Sequence, residues 1–492
     1  MKKLILLAAL VSGLLLLNSV FEPFSETDRK TVTEKKRQSG RKAGQPRPYK
    51  GDLPSIAAVN IRNAVLEKVH AGLDYPWAME FIASRELLIT EFGGKLKRLN
   101  LDSGIVTEIT GLPDYIATGK GQIGLMDVAL HPQFADNGVI YLSHAIENQK
   151  KPGHFATAVS RAVLEEAELS KVRRIFVATP YGASPSNFGG AMAFDDDGML
   201  YIGTGDRSRD MQSQSGEHLT GKIIRLTDQG RIPPDNPFLA DPAIDDRIYA
   251  LGVRNPQGLL FDRQSGRLLE AEHGPMGGDE VNHITRGANY GWPTISYGAN
   301  YNTQKKGLGT AMEGLEQPLY YYLPSIAVSP LAIYRGTMFP EWEGHLLVGA
   351  LKGSHVSKLD LHDNAVISQQ ELLGELKGRV RDVKVADDGS IFVLVQYGGR
   401  IFRLHRDFES DKLEQSEERN GATVYKTVCA TCHSSGAPGV PQLGDEAAWT
   451  ARLAKGREQL YQNTLYGICL LYTSPSPRDL NPNLGFRLLG VK

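Results

Sequence analysis

Between about residues 54 and 404, apolar positions alternate with polar ones in short runs, and each run follows a turn built on Asp, Asn or Gly. A period of two marks a strand, and a Gly directly after Asp or Asn marks the tight turn that leads into it. The pattern first appears as Glu86-Leu87-Leu88-Ile89-Thr90 with Gly93-Gly94, then as Asp136-Asn137-Gly138-Val139-Ile140-Tyr141-Leu142. It returns as Asp197-Gly198-Met199-Leu200-Tyr201-Ile202-Gly203 and as Ser265-Gly266-Arg267-Leu268-Leu269. Glu343-Gly344-His345-Leu346-Leu347-Val348-Gly349 and Asp388-Gly389-Ser390-Ile391-Phe392-Val393-Leu394 complete six occurrences. Their spacing is uneven, roughly 45 to 80 residues, against ~40–50 for a plain propeller blade. Six blades with long insertions on one face account for this, so residues 54–404 are expected to form an all-β, six-bladed β-propeller. A β-sandwich with insertions has no reason to repeat six times. The segment Ile56 to Val69 is placed as the outer strand that closes the ring with the last blade.

The flanks have a different texture. Residues 1–21 join a basic start, Lys2-Lys3, to ~18 mostly apolar residues, about the length that spans a bilayer as a helix. No A-x-A-like site follows, so a cleaved signal peptide and an N-terminal membrane anchor both stay open. Either leaves Lys2 and Lys3 inside and exports the rest, which places the protein in the periplasm. Residues 22–53 are polar and basic and read as a tether. After Leu404 a charged linker, 405–420, leads to 421–467, where Trp449, Leu453, Leu460 and Leu465 have helical spacing. Residues 468–492 fit nothing before them and resemble a translated adapter tail. The small all-α unit is therefore expected to be truncated near Gly467.

Composition narrows the function classes. The chain has 492 residues and a formal net charge of −1, which argues against bulk nucleic-acid binding. Its three cysteines make no disulfide framework. Two of them lie in Cys429-Ala430-Thr431-Cys432-His433, which reads as a covalent c-type haem attachment site with His433 as the iron ligand. No other Cys or His pair exists to complete a zinc site instead. No methionine follows Met338, so the second haem ligand usual in such domains is missing from this chain.

A second chemical stretch is Glu272-His273-Gly274-Pro275-Met276-Gly277-Gly278-Asp279-Glu280. A loop rich in bare backbone carbonyls and carboxylates at a strand end offers the ligands that Ca2+ prefers. Arg379 and Arg381, two apart on a strand, are expected to share a face and to present two guanidinium forks to carboxylates. His131, in Leu130-His131-Pro132, caps a strand and reads as structural.

The chain resembles the glucose/sorbosone dehydrogenase family, soluble quinoproteins that bind pyrroloquinoline quinone (PQQ) on a six-bladed propeller. The resemblance is carried by Gly121-Gln122-Ile123-Gly124-Leu125-Met126-Asp127, Phe188-Gly189-Gly190, Gly205-Asp206-Arg207 and Arg254-Asn255-Pro256-Gln257-Gly258. Glu272-His273-Gly274-Pro275, Asn289-Tyr290-Gly291-Trp292-Pro293, Pro324-Ser325-Ile326-Ala327, Leu351-Lys352-Gly353 and Arg379-Val380-Arg381-Asp382 extend it. Residues 421–466 resemble a class I cytochrome c domain. The resemblance implies that Gln122, Arg254, Asn255, Lys352, Arg379 and Arg381 contact PQQ. It implies that carbonyls of Gly274 and Pro275 hold the Ca2+ beside it, and that Glu280 and the Tyr290 carbonyl hold a second, structural Ca2+. Cys429 and Cys432 would carry haem c.

The implied reaction is oxidation of a sugar's CH–OH carbon by hydride transfer to PQQ, with electrons passing to the haem and on to a periplasmic acceptor. The family's base is a histidine directly before Phe-Gly-Gly, and here that position is Asn187. An amide orients a hydroxyl but accepts no proton near neutral pH. Asp206 is then expected to act as the base, directly or through water, unless the substrate is a more acidic alcohol. A Ca2+-dependent propeller lactonase and a propeller that only binds carbohydrate are the alternatives. The loop from Tyr297 to Gln317 is where the substrate's identity would be read.

Overall fold

The computed structural model describes residues 64–301, 306–362 and 365–407, and parts of 426–454. The expected signal or anchor, the tether, Cys429 and the suspected tail lie outside the described residues, as does Ile56 to Asn63. The chain divides into two units, 1–406 and 407–492. Among the described residues no helix is long and apolar enough to cross a membrane.

Among its described residues the first unit holds twenty-four strands, β1 to β24 in chain order, in six four-stranded antiparallel sheets. The innermost strand of each blade is β2 (Pro76–Ala83), β6 (Leu125–Leu130), β10 (Gly189–Phe194), β14 (Pro256–Asp262), β18 (Val328–Ile333) or β22 (Val380–Val385). These six pack against one another in that order and close back from β22 to β2, so the expected ring is complete. The last blade takes its outer strand from the N-terminal side: β1 (Ala64–His70) pairs with β24 (Arg400–Arg406).

Each of the six turn-and-strand repeats is the second strand of a blade: β3 (Glu86–Glu91), β7 (Val139–Glu147), β11 (Met199–Thr204), β15 (Arg267–Glu272), β19 (Leu346–Ala350) and β23 (Ile391–Val395). Sheets on either side cover these strands, so they are almost wholly buried, apolar for the most part but with buried polar groups such as Glu91, His144, Glu270 and Glu272. Before all of them but β3 the turn contains a left-handed glycine, for example Gly198 (φ +76°) and Gly389 (φ +80°).

All six inner strands share an irregularity that the side-chain pattern does not show. Each shifts register against its neighbour near its start, between Pro76 and Ala78, Leu125 and Val128, Gly189 and Met192, Pro256 and Gly258, Val328 and Leu331, and Val380 and Asp382. A bulge frees residues from the ladder and turns their polar groups to the adjacent blade. The seams use this. Thr90 Oγ1 donates to the Met126 carbonyl (2.5 Å), Asp127 Oδ2 accepts from Met192 N (2.8 Å), and Asp206 N donates to the Arg254 carbonyl (2.8 Å). His273 Nε2 donates to Val328 O (2.6 Å), Ser329 Oγ to Val380 O (2.8 Å), and Asp382 Oδ2 accepts from Met79 N (2.8 Å). One such bond crosses each of the six seams.

Two expectations are refined here. Arg379 lies just before β22, and the register shift leaves Arg381 outside the regular pairing, so the two arginines do not sit at matched positions of one strand face. His131 follows β6 and its Nδ1 accepts from Gln133 N (3.0 Å), with Asn137 Nδ2 at 2.9 Å, the structural role expected.

In the second unit the described residues include helices α2 (Ala430–His433) and α3 (Glu446–Leu453), α1 being the short turn Phe134–Asn137 in the propeller. Asp445 caps α3 by accepting from Ala448 N at 3.0 Å. His433 Nδ1 donates to the Pro441 carbonyl at 2.6 Å, and its ring stacks on Trp449 with centroids 5.6 Å apart.

Candidate active site

Because every blade runs from its inner strand outward, the residues just before the inner strands and just after the second strands gather at one mouth of the central channel. Gln122 precedes β6, Asn187 precedes β10, Arg254 and Asn255 precede β14, and Arg379 precedes β22. Asp206 follows β11, Gly274 and Pro275 follow β15, and Lys352 follows β19. The propeller topology thus brings all of these to one end.

At the centre of the wall stands Asp206, 1 % exposed. Its Oδ1 accepts from Asn187 Nδ2 (2.8 Å) and Ser208 N (2.8 Å), and its Oδ2 accepts from Trp292 Nε1 (2.9 Å). Asn187 is half-buried in a left-handed conformation (φ +56°), and its carbonyl accepts from Arg207 N (3.1 Å). With its amide nitrogen committed to Asp206, the Asn187 side-chain oxygen is left as the acceptor. Gln122 Oε1 accepts from Phe188 N (3.0 Å) and Asn255 Oδ1 from Gly189 N (3.0 Å), which pins the residues after Asn187 to the blades on either side, and Gln122 N donates to the Pro185 carbonyl (2.7 Å) on the side before it.

Arg254 donates from one terminal nitrogen to the carbonyls of His273 (2.8 Å) and Gly274 (2.9 Å). Its backbone N–H donates to Glu272 Oε2, as does Asn255 N at 3.1 Å. Burial pushes Glu272 up to about 7, against the pull of those two donors. Burial pushes His273 down to about 4, so its imidazole is neutral and its donated Nε2 proton leaves Nδ1 to accept from Asn255 Nδ2 (3.4 Å).

Opposite, the Arg381 guanidinium lies flat on Trp77, 3.3 Å from the ring centre, and both terminal nitrogens reach Gln257 Oε1 across the channel at 3.3 Å. Burial, then the Arg379 charge, lowers Arg381 to about 9. Arg379 Nε donates to Gln396 Oε1 (3.1 Å), and Lys352 is exposed.

Two guanidiniums of this wall, Arg254 and Arg381, are buried with an Nε that has no partner. Unmet buried donors on cations fit a multiply charged planar anion. For a metal the fit is narrower. Among the described residues no three His, Cys, Asp or Glu side chains converge as a cluster, so a cation at the mouth depends on main-chain carbonyls such as Gly274's. Glu280 pairs across the sheet with Glu272, and the Tyr290 hydroxyl donates to His283 O (2.5 Å). No hydrogen bond joins Glu280 to Tyr290 among the described residues. Burial and the Glu272 charge raise Glu280 well above the usual carboxylate range.

Trp77, Trp292, Gln257 and Glu272 take part without having been singled out for it. Trp292 is flanked by Arg254 (5.2 Å) and Lys306 (5.0 Å) while holding Asp206. Trp292, Gln257 and Glu272 lie inside the family-like motifs. Trp77 has no such signal, because its partner lies 304 positions away.

The fold is that of the propeller sugar dehydrogenases. The Glucose / Sorbosone dehydrogenase family model matches residues 73–403, and the chain belongs to that family. It is 38 % identical over 356 residues to aldose sugar dehydrogenase YliI of Escherichia coli, covering 71 % of this chain and 93 % of that one. The PQQ-bound aldose sugar dehydrogenase of Streptomyces coelicolor superposes with a TM-score of 0.58 at 26 % identity, covering 70 % of this chain and 98 % of that one. Separately, 47 residues are 43 % identical to cytochrome c-555 of Chlorobaculum tepidum, 10 % of this chain and 44 % of that protein.

Proposed function

We propose that the chain oxidises a CH–OH carbon of an aldose, most simply the anomeric one, with PQQ at the channel mouth. The buried guanidiniums of Arg254 and Arg381, each with an unmet Nε, carry this reading. PQQ, when bound, supplies the hydride acceptor. Arg254, Arg379, Arg381 and Lys352 would neutralise its carboxylates, with Gln122 and Asn255 as further polar contacts. Gly274 and Pro275 would offer carbonyls to a Ca2+ beside it, and Glu280 with Tyr290 to a structural one.

Asn187 positions the substrate hydroxyl through its side-chain oxygen. Asp206 is the proton acceptor. Its Oδ1 is shielded by the Asn187 amide, so the proton arrives only when that amide swings aside and the hydroxyl or a water takes its place. This places a side-chain rearrangement ahead of proton transfer. In the second unit, His433 Nδ1 donates to the Pro441 carbonyl, which fixes the tautomer that presents Nε2 to iron. Haem c bound through Cys429 and Cys432 would receive electrons singly. We place the chain in the periplasm on the basic-then-apolar pattern of residues 1–21 alone.

Titration of the full chain with PQQ and Ca2+, followed by absorbance and then by dye-linked aldose oxidation, tests the proposal. Absence of a PQQ absorbance change sinks it. PQQ binding with no turnover on any aldose supports the second reading, a binding propeller. Asn187 is the observation that favours that reading. A lactonase finds no support in the mouth, where among the described residues no group of three or more carboxylate or imidazole side chains is arranged to hold a metal ion.

A further inference from the structure

We infer that a cleft between the third and fourth blades, on the face opposite the channel mouth, binds a neutral saccharide unit. This site lies outside the channel and is independent of the reaction proposed at the mouth.

The turn from β10 to β11 (Asp195 to Asp197), the turn from β14 to β15 (Gly266) and the residues after β16 (Asp279–Ile284) border the cleft. Each follows a strand that runs away from the mouth, so the cleft opens on the other face. Its volume is about 500 Å3, within the ~300–1,000 Å3 usual for small-ligand clefts.

Arg225, on β12 (Lys222–Thr227), is the buried cation of this cleft, only 7 % exposed. It pairs across the sheet with Tyr201, and its guanidinium carbon lies 5.9 Å from the Tyr201 ring centre. The ring of Tyr249, on β13 (Ile248–Leu251), is 6.0 Å away. One terminal nitrogen is committed, donating to Asp235 Oδ1 (2.8 Å) and Asn236 Oδ1 (3.2 Å). Nε is buried without a partner, and the other terminal nitrogen makes no hydrogen bond among the described residues. A guanidinium pinned at one corner and unmet elsewhere has donors to give a ligand. Asp195, also buried, supplies the acceptor. Its Oδ1 is taken by Asp197 N (3.1 Å) and Met199 N (2.8 Å), but Oδ2 accepts only from the Tyr201 hydroxyl (3.1 Å). A carboxylate oxygen has room for a second donor.

The lining selects the ligand. Tyr249 and Phe261, one from each blade, are half-buried and give the cleft apolar walls. Burial, then the Arg267 charge, lowers His283, so its neutral imidazole adds one donor and one acceptor. Rings beside mixed donors and acceptors fit a pyranose, whose C–H face packs on an aromatic while its hydroxyls both give and take hydrogen bonds. Charge excludes the other classes. Asp195, Asp196 and Asp197 repel an anion, and Arg225 and Arg286 repel a cation. The ion pairs Asp196–Arg263 (3.2 Å) and Asp235–Arg225 (2.8 Å) leave little net charge. Among the described residues no group of three His, Cys, Asp or Glu is arranged to hold a metal ion.

The test uses the full chain without PQQ, carrying 3-fluorotyrosine, and follows the Tyr249 resonance by fluorine NMR, assigned by its loss in Tyr249→Phe. At least one of the methyl glycosides of glucose, galactose and mannose, whose anomeric oxygens are blocked, should shift that resonance saturably. Raising salt from about 50 to about 300 mM should change the apparent Kd less than about two-fold, as for a neutral ligand. Arg225→Met should weaken binding about ten-fold or more. Because Arg225 is buried, Asp197→Ala/Arg286→Ala, at two exposed positions, serves as the second variant, and it should weaken binding about three-fold or more. Asn187→Ala, at the mouth, should leave the titration as in wild type. Maltotriose separates two sources of the ligand: binding about ten-fold tighter than the methyl glucoside marks a unit within a glycan chain, and equal binding marks a free sugar. Three results overturn the inference: no shift with any glycoside, a titration that the Asp197/Arg286 substitutions leave unchanged, or one that Asn187→Ala abolishes. Sugar oxidation is not read in this experiment, so failure at the mouth and failure at the cleft stay distinct.

Discussion

Asn187 Nδ2 donates to Asp206 Oδ1 at 2.8 Å, so an amide occupies the carboxylate oxygen that a substrate proton would otherwise reach. Two substitutions separate the roles. Asn187→His installs a proton acceptor already held by Asp206, and kcat for aldose oxidation should rise on the order of 10²-fold or more. It should also acquire a pH dependence with an apparent pKa near that of imidazole, about 6–7. Asp206→Asn should lower kcat by about 10²-fold or more. Steady-state kinetics across pH decide it; full activity in Asp206→Asn removes Asp206 as the proton acceptor.

Arg381 depends on Trp77 beneath it and on Gln257 across the channel. A lysine keeps the charge but loses the plane and the fork. Arg381→Lys should therefore weaken PQQ binding about ten-fold, read by absorbance titration, while the melting temperature changes little. Trp77→Ala removes the support itself. It should lower PQQ affinity and also cost about 3–5 kcal/mol of stability, as large core truncations do. Equal PQQ affinity in Arg381→Lys and wild type would show that charge alone matters there.

Much of this architecture was legible in one dimension. The second strand of each blade is buried on both faces, and five of the six are entered through a glycine turn, so buried run and turn chemistry coincide; β3 follows Ser84-Arg85 instead and has its glycines, Gly93-Gly94, behind it. The inner strands resisted the same reading. Their register shifts add residues that no side-chain period marks, and the Arg379–Arg381 spacing misled for that reason. The candidate site was legible as types of residue, since Gln122, Asp206, Arg254 and Gly274 all fall at strand ends. Its wiring was not. The Trp77–Arg381 stack joins the first blade to the last and forms only when the ring closes, while the Asp206–Trp292 bond joins two neighbouring blades 86 positions apart. Asn187 and Asp206 flank one hairpin, β10 to β11, and meet because Gly189 lies opposite Thr204; the bulge between Gly189 and Met192 is what hid that register from the side-chain pattern.

The far end of the channel carries its own acid pair. Asp127 is pushed up to about 7 and Asp382 to about 6, in both cases first by burial, with the Lys384 ammonium pulling the other way. Burial works against the charge on Lys384, yet Glu80, Asp382 and Asp127 around it raise its pKa. Both folded values exceed the ordinary 3.8, so the native state holds more protons than the unfolded chain between about pH 4 and pH 7. The stability these groups add is complete below about pH 4 and is lost as pH rises through their folded values. Asp127→Asn cannot titrate. Its stability relative to wild type should therefore improve from pH 5 to pH 8, measured by urea melts at fixed ionic strength, and a flat difference would place Asp127 at its ordinary value.

Ring closure rests on strand β1, the one element of the last blade drawn from the other end of the chain. It pairs with β24 from Ala64–Arg406 to His70–Ile401. Deleting residues 1–70 strips that ladder and leaves β24 as an open edge, while β2 and β22 still pack at the channel. An exposed strand edge is a template for pairing with another chain. The deletion should then lower the melting temperature by roughly 10 °C or more, given the several kcal/mol such a ladder and its buried face provide. It should also produce concentration-dependent aggregation in light scattering. The residues of the mouth lie on the inner ends of the blades, so the fraction that stays folded should bind PQQ as wild type does. A deletion variant that melts normally but loses PQQ would mean that the closing strand acts on the site itself rather than on the ring.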